Sequence, residues 1–187
     1  MSTDADVLGF WFGPPPLAPR AEWFRKDPAF DDAIRAGFGP AVDAAVDGRL
    51  PVPEGTRAVL ARLILLDQFP RNLFRGQARA FAGDPAALAL ALDLIDRGGD
   101  RRLHPLQRWF VILPLEHAED LSLQDRSCAL FTELAAESPD LAGALDYAER
   151  HRDVIRRFGR FPHRNAALGR QSTPEERAYL ATPGSGF

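Results

Sequence analysis

Asp84-Pro85-Ala86-Ala87-Leu88-Ala89-Leu90-Ala91-Leu92-Asp93-Leu94-Ile95-Asp96-Arg97 is the stretch on which the fold class turns. Leu88, Leu90, Leu92 and Leu94 alternate as in a strand, yet Leu88, Ala91, Leu92 and Ile95 also fall on one helical face. Alanine, the strongest helix former, fills the gaps, and no β-branched residue precedes Ile95, so the segment reads as a helix. Asp84 before Pro85 supplies an N-cap with proline in the first helical position, and Gly98-Gly99 supply the stop.

The same punctuation recurs outward. Asp27-Pro28, Ser138-Pro139 and Thr173-Pro174 are further cap-plus-proline starts. Glu176 completes a capping box with Thr173, and Ser122 with Asp125 forms a weaker one. Gly48 and Gly159 mark stops. Ala144, Ala148, His151, Ile155 and Phe158 share one helical stripe, and Leu123, Ser127, Leu130, Phe131 and Leu134 share another. No Asn-Gly or Asp-Gly turn joins alternating apolar runs. Helices are therefore predicted at 4–12, 28–37, 39–47, 54–68, 84–97, 104–112, 115–120, 122–136, 139–158 and 173–181, with corners at 13–22 and 159–171. The expected fold is all-α, a multi-helix bundle of antiparallel helix pairs with no sheet, forming a single domain over 1–187. No strict 34-residue period is visible. Each Trp-Phe pair (Trp11-Phe12, Trp23-Phe24, Trp109-Phe110) reads as core rather than as a ligand cage.

The net charge is −3, which gives no global pull toward nucleic acid or acidic lipid. The start, Met1-Ser2-Thr3-Asp4-Ala5-Asp6, lacks a basic, apolar leader, and no apolar run is long enough to span a bilayer. Cys128 is the only cysteine, so no internal disulfide forms. A soluble cytoplasmic protein with no membrane association is the expectation. Lys26 is the one lysine among 23 basic residues, so arginine abundance by itself marks no anion site.

Position marks one instead. Phe69-Pro70-Arg71-Asn72 is echoed by Phe161-Pro162-His163-Arg164-Asn165, each after a helix-like run. Each corner couples a backbone break to a fixed cation and a two-way hydrogen-bonding amide. Two apolar runs also end abruptly in charge, Leu63–Leu66 at Asp67-Gln68 and Trp109–Leu115 at Glu116-His117. A carboxylate beside such a run is buried, and must be paired or protonated. Pro70 disrupts the register that would bring Arg71 onto Asp67, so the partner of Asp67 is expected from elsewhere in the fold. His151 sits in an apolar stripe. Segment 151–170 concentrates Arg152, Arg156, Arg157, Arg160, Arg164 and Arg170 with His151 and His163. Nucleic acid is an unlikely partner for that strip.

Known catalytic motifs are absent: no phosphate-binding glycine loop, no Gly-x-Ser-x-Gly elbow, no His-Glu-x-x-His. No histidine pair has metal-ligand spacing, so neither a metal nor a cofactor is expected.

Leu66-Asp67-Gln68-Phe69-Pro70-Arg71-Asn72, Leu113-Pro114-Leu115-Glu116-His117 and Phe158-Gly159-Arg160-Phe161-Pro162-His163-Arg164-Asn165 together resemble the largely bacterial family catalogued as domain of unknown function 924. The resemblance runs from Trp11 to the helix after Thr173. It implies a tetratricopeptide-like all-helical fold and brings no activity, substrate or cofactor.

The residues support two functional readings. In the first, a polar pocket binds a small anionic metabolite. Arg71, Arg75, Arg160, Arg164, Gln68, Asn72, His163 and Asn165 hold it, and His117 or His151, paired with Asp67 or Glu116, moves a proton. In the second, stacked helix pairs form a scaffold for a protein partner, and the polar cluster only fixes the core.

Overall fold

The computed structural model describes residues 3–186. Among them the chain forms helices and turns and no strand. The helices are α1 (Asp4–Phe12), α2 (Pro28–Val46), α3 (Thr56–Leu63), α4 (Phe69–Leu73), α5 (Asp84–Asp96), α6 (Pro105–Glu116), α7 (Leu121–Glu137), α8 (Ala142–Phe158) and α9 (Pro174–Leu180). No helix among the described residues is long and apolar enough to cross a membrane.

The deciding segment is a helix, with Ala87, Ala91 and Leu94 buried. Its start differs from the cap prediction. Gly83 is the cap residue, Asp84 is already helical, and its carboxylate bonds no helix N–H. Asp27 and Thr173 do cap as expected, Asp27 accepting from Ala29 and Phe30 and Thr173 forming the box with Glu176. Ser138 makes no side-chain cap, and Asp120 rather than Ser122 caps α7.

Two helix breaks predicted close to prolines are absent. The pair predicted at 28–37 and 39–47 is one helix with Pro40 inside it. Pro40 and Ala36, whose carbonyl it leaves unbonded, both face solvent, so water satisfies the loss. Likewise α6 runs through Pro114 to Glu116, replacing the helices predicted at 104–112 and 115–120. Burial of Ile112 through Leu115 on all sides holds that helix together against local propensity.

In sequence order α5, α6, α7 and α8 each pack against the next, while α1, α2 and α3 close the other side. Trp11 lies at the centre of the aromatic core, edge-on to Phe110 at 5.5 Å and to Phe69 at 5.6 Å. Trp23 meets Phe110 at 4.8 Å and donates its indole N–H to the Trp11 carbonyl at 2.9 Å. Phe24 is the exception among the Trp-Phe pairs, exposed and stacked on Trp109.

Candidate functional site

The segment after α3 departs from α-helical winding. Ile64–Gln68 forms a π turn, in which the Phe69 N–H reaches back to the Ile64 carbonyl. Such turns recur at functional sites. Pro70 follows with no N–H to give, so the Leu66 carbonyl four residues back gets no helical bond from it. Gly83 packs onto that carbonyl, and a Cβ at Gly83 would lie 2.2 Å from the Leu66 oxygen. This contact places Asp84 beside the first corner.

Asp84 joins the two echoing motifs. Arg71 donates both terminal amino groups to it, at 2.9 and 3.0 Å, and Arg164 donates one at 3.1 Å. Arg164 lies over the rings of Phe81 and Phe161, at 4.7 and 4.6 Å from their centroids. Its Nε is buried without a hydrogen-bond partner among the described residues. Burial and the adjacent Arg71 pull its pKa down to about 10, which leaves it charged at neutral pH.

Pro70 does not keep Arg71 from Asp67. The helical path continues, and Arg71 lies 3.2 Å from the Asp67 carboxylate and donates to its backbone carbonyl at 2.7 Å. The second partner does come from elsewhere: His117 Nδ1, at the end of α6, is 2.7 Å from Asp67 Oδ1. Gln68 donates to Oδ2. Asp67 is fully buried. Burial alone would raise its pKa, but Arg71, His117 and Gln68 outweigh it and hold the carboxyl well below the usual range. Burial and the Arg71 charge lower the His117 pKa despite Asp67. Neutral His117 beside an ionised Asp67 therefore carries its proton on Nδ1 and leaves the Nε2 lone pair unprotonated.

Behind His117 lies a second acid–imidazole pair. His151 Nδ1 is 2.8 Å from the Tyr147 carbonyl and 3.0 Å from Glu116 Oε1. Burial, reinforced by the Asp67 charge, raises Glu116 to about 8, and its Oε2 has no hydrogen-bond partner among the described residues. Burial, then the neighbouring His117, lowers His151 to about 3. At neutral pH this pair is a carboxylic acid against an uncharged imidazole. The two imidazole rings stand 6.3 Å apart.

His117 opens onto a groove of about 380 Å³ between α5, the α6–α7 turn and the second corner. Phe81, Pro85, Leu88, Pro114, Leu123 and Leu168 form its apolar wall, with Asp84, Glu119, Asp120 and Arg164 at the polar edge. Glu119 ties that edge together, accepting the Phe161 N–H at 2.8 Å and both terminal nitrogens of Arg170 at 2.7 and 2.9 Å.

Of the residues singled out in the sequence, Asp67, Gln68, Arg71, Glu116, His117, His151 and Arg164 come together here. His163 lies close by against Phe161, where burial, then the Arg164 charge, lowers it to about 4. The remaining four are engaged elsewhere. Asn72 and Arg75 both bind Asp31, at 2.7 Å and at 3.0–3.1 Å. Arg160 clamps Glu176 at 2.6 and 2.9 Å, and Asn165 bridges Ser172 and Arg170. They fix α2 and α9 rather than line the groove. Asp84 was legible only as a cap, which it is not; its pairing with Arg71 and Arg164 has no local signal. Gln124, buried on α7 and donating to the Glu116 and Ala118 carbonyls, also falls outside the predicted set. Among the described residues no cluster of three or more His, Cys, Asp or Glu is placed to hold a metal ion.

The model of a family described as bacterial protein of unknown function, DUF924, matches residues 7–184. The chain is also similar to a protein of unknown function from Agrobacterium tumefaciens, ATU0120. The two share 44% identity over 95% of this chain and 96% of that one, and their structures superpose with a TM-score of 0.80. No curated protein matches.

Proposed function

The chain belongs to DUF924, a family of bacterial proteins of unknown function, and from that premise we propose that the groove binds a small molecule from which His117, oriented by Asp67, takes a proton. The Asp67–His117 contact carries the reading. A buried ionised carboxylate fixes the tautomer, leaves Nε2 as the acceptor and stabilises the imidazolium that proton transfer creates. His151 supports this by staying uncharged, so that it adds no further cation to Arg71 beside the charge that forms on His117.

The apolar wall favours a ligand with an apolar body. The anionic part of the sequence reading finds less support. Both corner arginines are committed to Asp84, so the protein supplies its own anion where a ligand's would sit. The continuous core from Val7 to Ala148 supports one domain. The successive packing of α5 to α8 supports the tetratricopeptide-like likeness.

Carbethoxylation with diethyl pyrocarbonate, mapped by mass spectrometry, tests the central group. His117 is expected to label at pH 7 and Asp67→Asn to slow that labelling. An unreactive His117, or one indifferent to Asp67, would overturn the reading. A thermal-shift screen of small molecules should give hits that protect His117 from the reagent.

A further inference from the structure

A second cleft, of about 900 Å³, lies at the opposite end of α6, roughly 18 Å from His117 along a twelve-residue helix. Leu8 and Phe12 of α1 and the Pro14-Pro15-Pro16 segment give it apolar walls, and Arg57, His104 and Gln107 are its polar groups. Among the described residues no carboxylate lines it.

Each polar group presents a donor. Gln107 is only 8% exposed. Its amide oxygen accepts the His104 backbone N–H at 3.3 Å, which fixes the amide orientation. Among the described residues its amide nitrogen then has no partner, although the residue lines the cleft. His104 caps α6 by accepting the Leu106 N–H on Nδ1 at 3.2 Å, so its proton sits on Nε2. The positive end of the α6 dipole faces the same way.

Arg57 is the third donor and the least expected. It is exposed and occupies the first turn of α3, where the helix dipole disfavours a cation and no acid offsets it. Among the described residues it forms no ion pair or hydrogen bond. A guanidinium placed against its helix dipole, at the mouth of a cleft that no described acid lines, is explained by a partner that the described residues do not provide.

We propose that this cleft is a binding site for a small apolar monocarboxylate. The carboxylate lies between Arg57, the Gln107 amide and His104 Nε2, and the hydrocarbon body lies against Leu8, Phe12 and the proline segment. The site is independent of the proton-transfer groove.

Octanoate is the probe, octanamide its uncharged control, and inorganic phosphate a headgroup without the apolar body. Binding is followed by NMR through the Gln107 side-chain amide and the His104 resonances. Octanoate should shift both, octanamide and phosphate should bind at least tenfold more weakly, and Arg57→Gln should weaken octanoate at least tenfold. His117→Gln should leave octanoate binding unchanged, which separates this site from the groove. Arg57 has no partner to lose among the described residues and stands against its helix dipole, so its variant is expected to melt at or slightly above the wild-type temperature. The proposal is overturned if octanoate at 10 mM (roughly the weakest binding worth assigning) leaves the Gln107 amide unmoved. It is equally overturned if octanamide or phosphate matches octanoate, or if Arg57→Gln binds octanoate as wild type does.

Discussion

Gly83→Ala tests whether the site is assembled by backbone contact, because the contact decides the sign of the effect. Gly83 has φ −83° and ψ −13°, which alanine adopts without strain. On backbone grounds alone the substitution stabilises, by about 0.4–1 kcal/mol through the unfolded chain. The structure opposes this. The new methyl would sit 2.2 Å from the Leu66 oxygen and 3.0 Å from its carbonyl carbon, and backbone cannot rotate aside as a side chain can. Overpacking of this kind costs ~1–3 kcal/mol. Relief requires Gly83 to withdraw, which draws Asp84 away from Arg71 and Arg164 and adds the loss of part of that buried pairing. Net destabilisation of roughly 2–4 kcal/mol follows, a fall in melting temperature of about 4–16 °C for a chain of this size. Gly143→Ala is the control: it is exposed in α8 with nothing within 4 Å of its Cβ position, and it should gain about 0.5–1 kcal/mol. Urea unfolding of both variants gives the comparison. If Gly83→Ala is neutral, or stabilised as Gly143→Ala is, the close approach does not hold the site together.

Glu116→Gln should change the pH dependence of stability. Glu116 is raised to about 8 from 4.5, so the unfolded chain loses its proton first and native stability falls as pH rises between those values. His151, lowered to about 3 from 6.5, acts in the opposite direction below 6.5, so the Glu116 effect stands clear between pH 6.5 and 8. Urea midpoints should decline across that window in wild type and stay level in Glu116→Gln; an equal decline in both would remove Glu116 as the cause. Asp84→Asn takes the shared carboxylate from two arginines, one of them 6% exposed. It should cost about 3 kcal/mol, with part restored in the Asp84→Asn, Arg164→Met double variant, because the unpaired buried charge is then gone. A double variant no better than the single one would show that Arg164 is content without Asp84.

The helices were legible because caps, stops and periodicity agreed along most of the chain. The misread boundaries are those where a local rule met a tertiary one. Pro40 and Pro114 are tolerated inside helices, one by solvent and the other by burial. Pro70 is carried on the back of a π turn that nothing in the letters announces. The echoing corners and the charged ends of the apolar runs pointed to a polar centre, and Asp67, His117, Glu116 and His151 are in contact there in the pairs suggested by residue type. What sequence could not give was the meeting point. Asp84 stands before a proline at a helix start and therefore reads as a cap. Only the approach of Gly83 to Leu66 brings it between two arginines from distant segments. Asn72, Arg75, Arg160 and Asn165 have the same residue types in the same motifs, yet they bind Asp31, Ser172, Arg170 and Glu176, because motif membership does not fix direction.

The role of His117 as proton acceptor depends on the protonation state of its ring. Long-range proton–nitrogen correlation spectra of the His117 side chain at pH 7 measure it directly. The geometry predicts a neutral imidazole with its proton on Nδ1, toward Asp67, and an unprotonated Nε2; Asp67→Asn should disturb that state. An imidazolium, or a neutral ring carrying its proton on Nε2, would contradict the assignment of His117 as the proton acceptor.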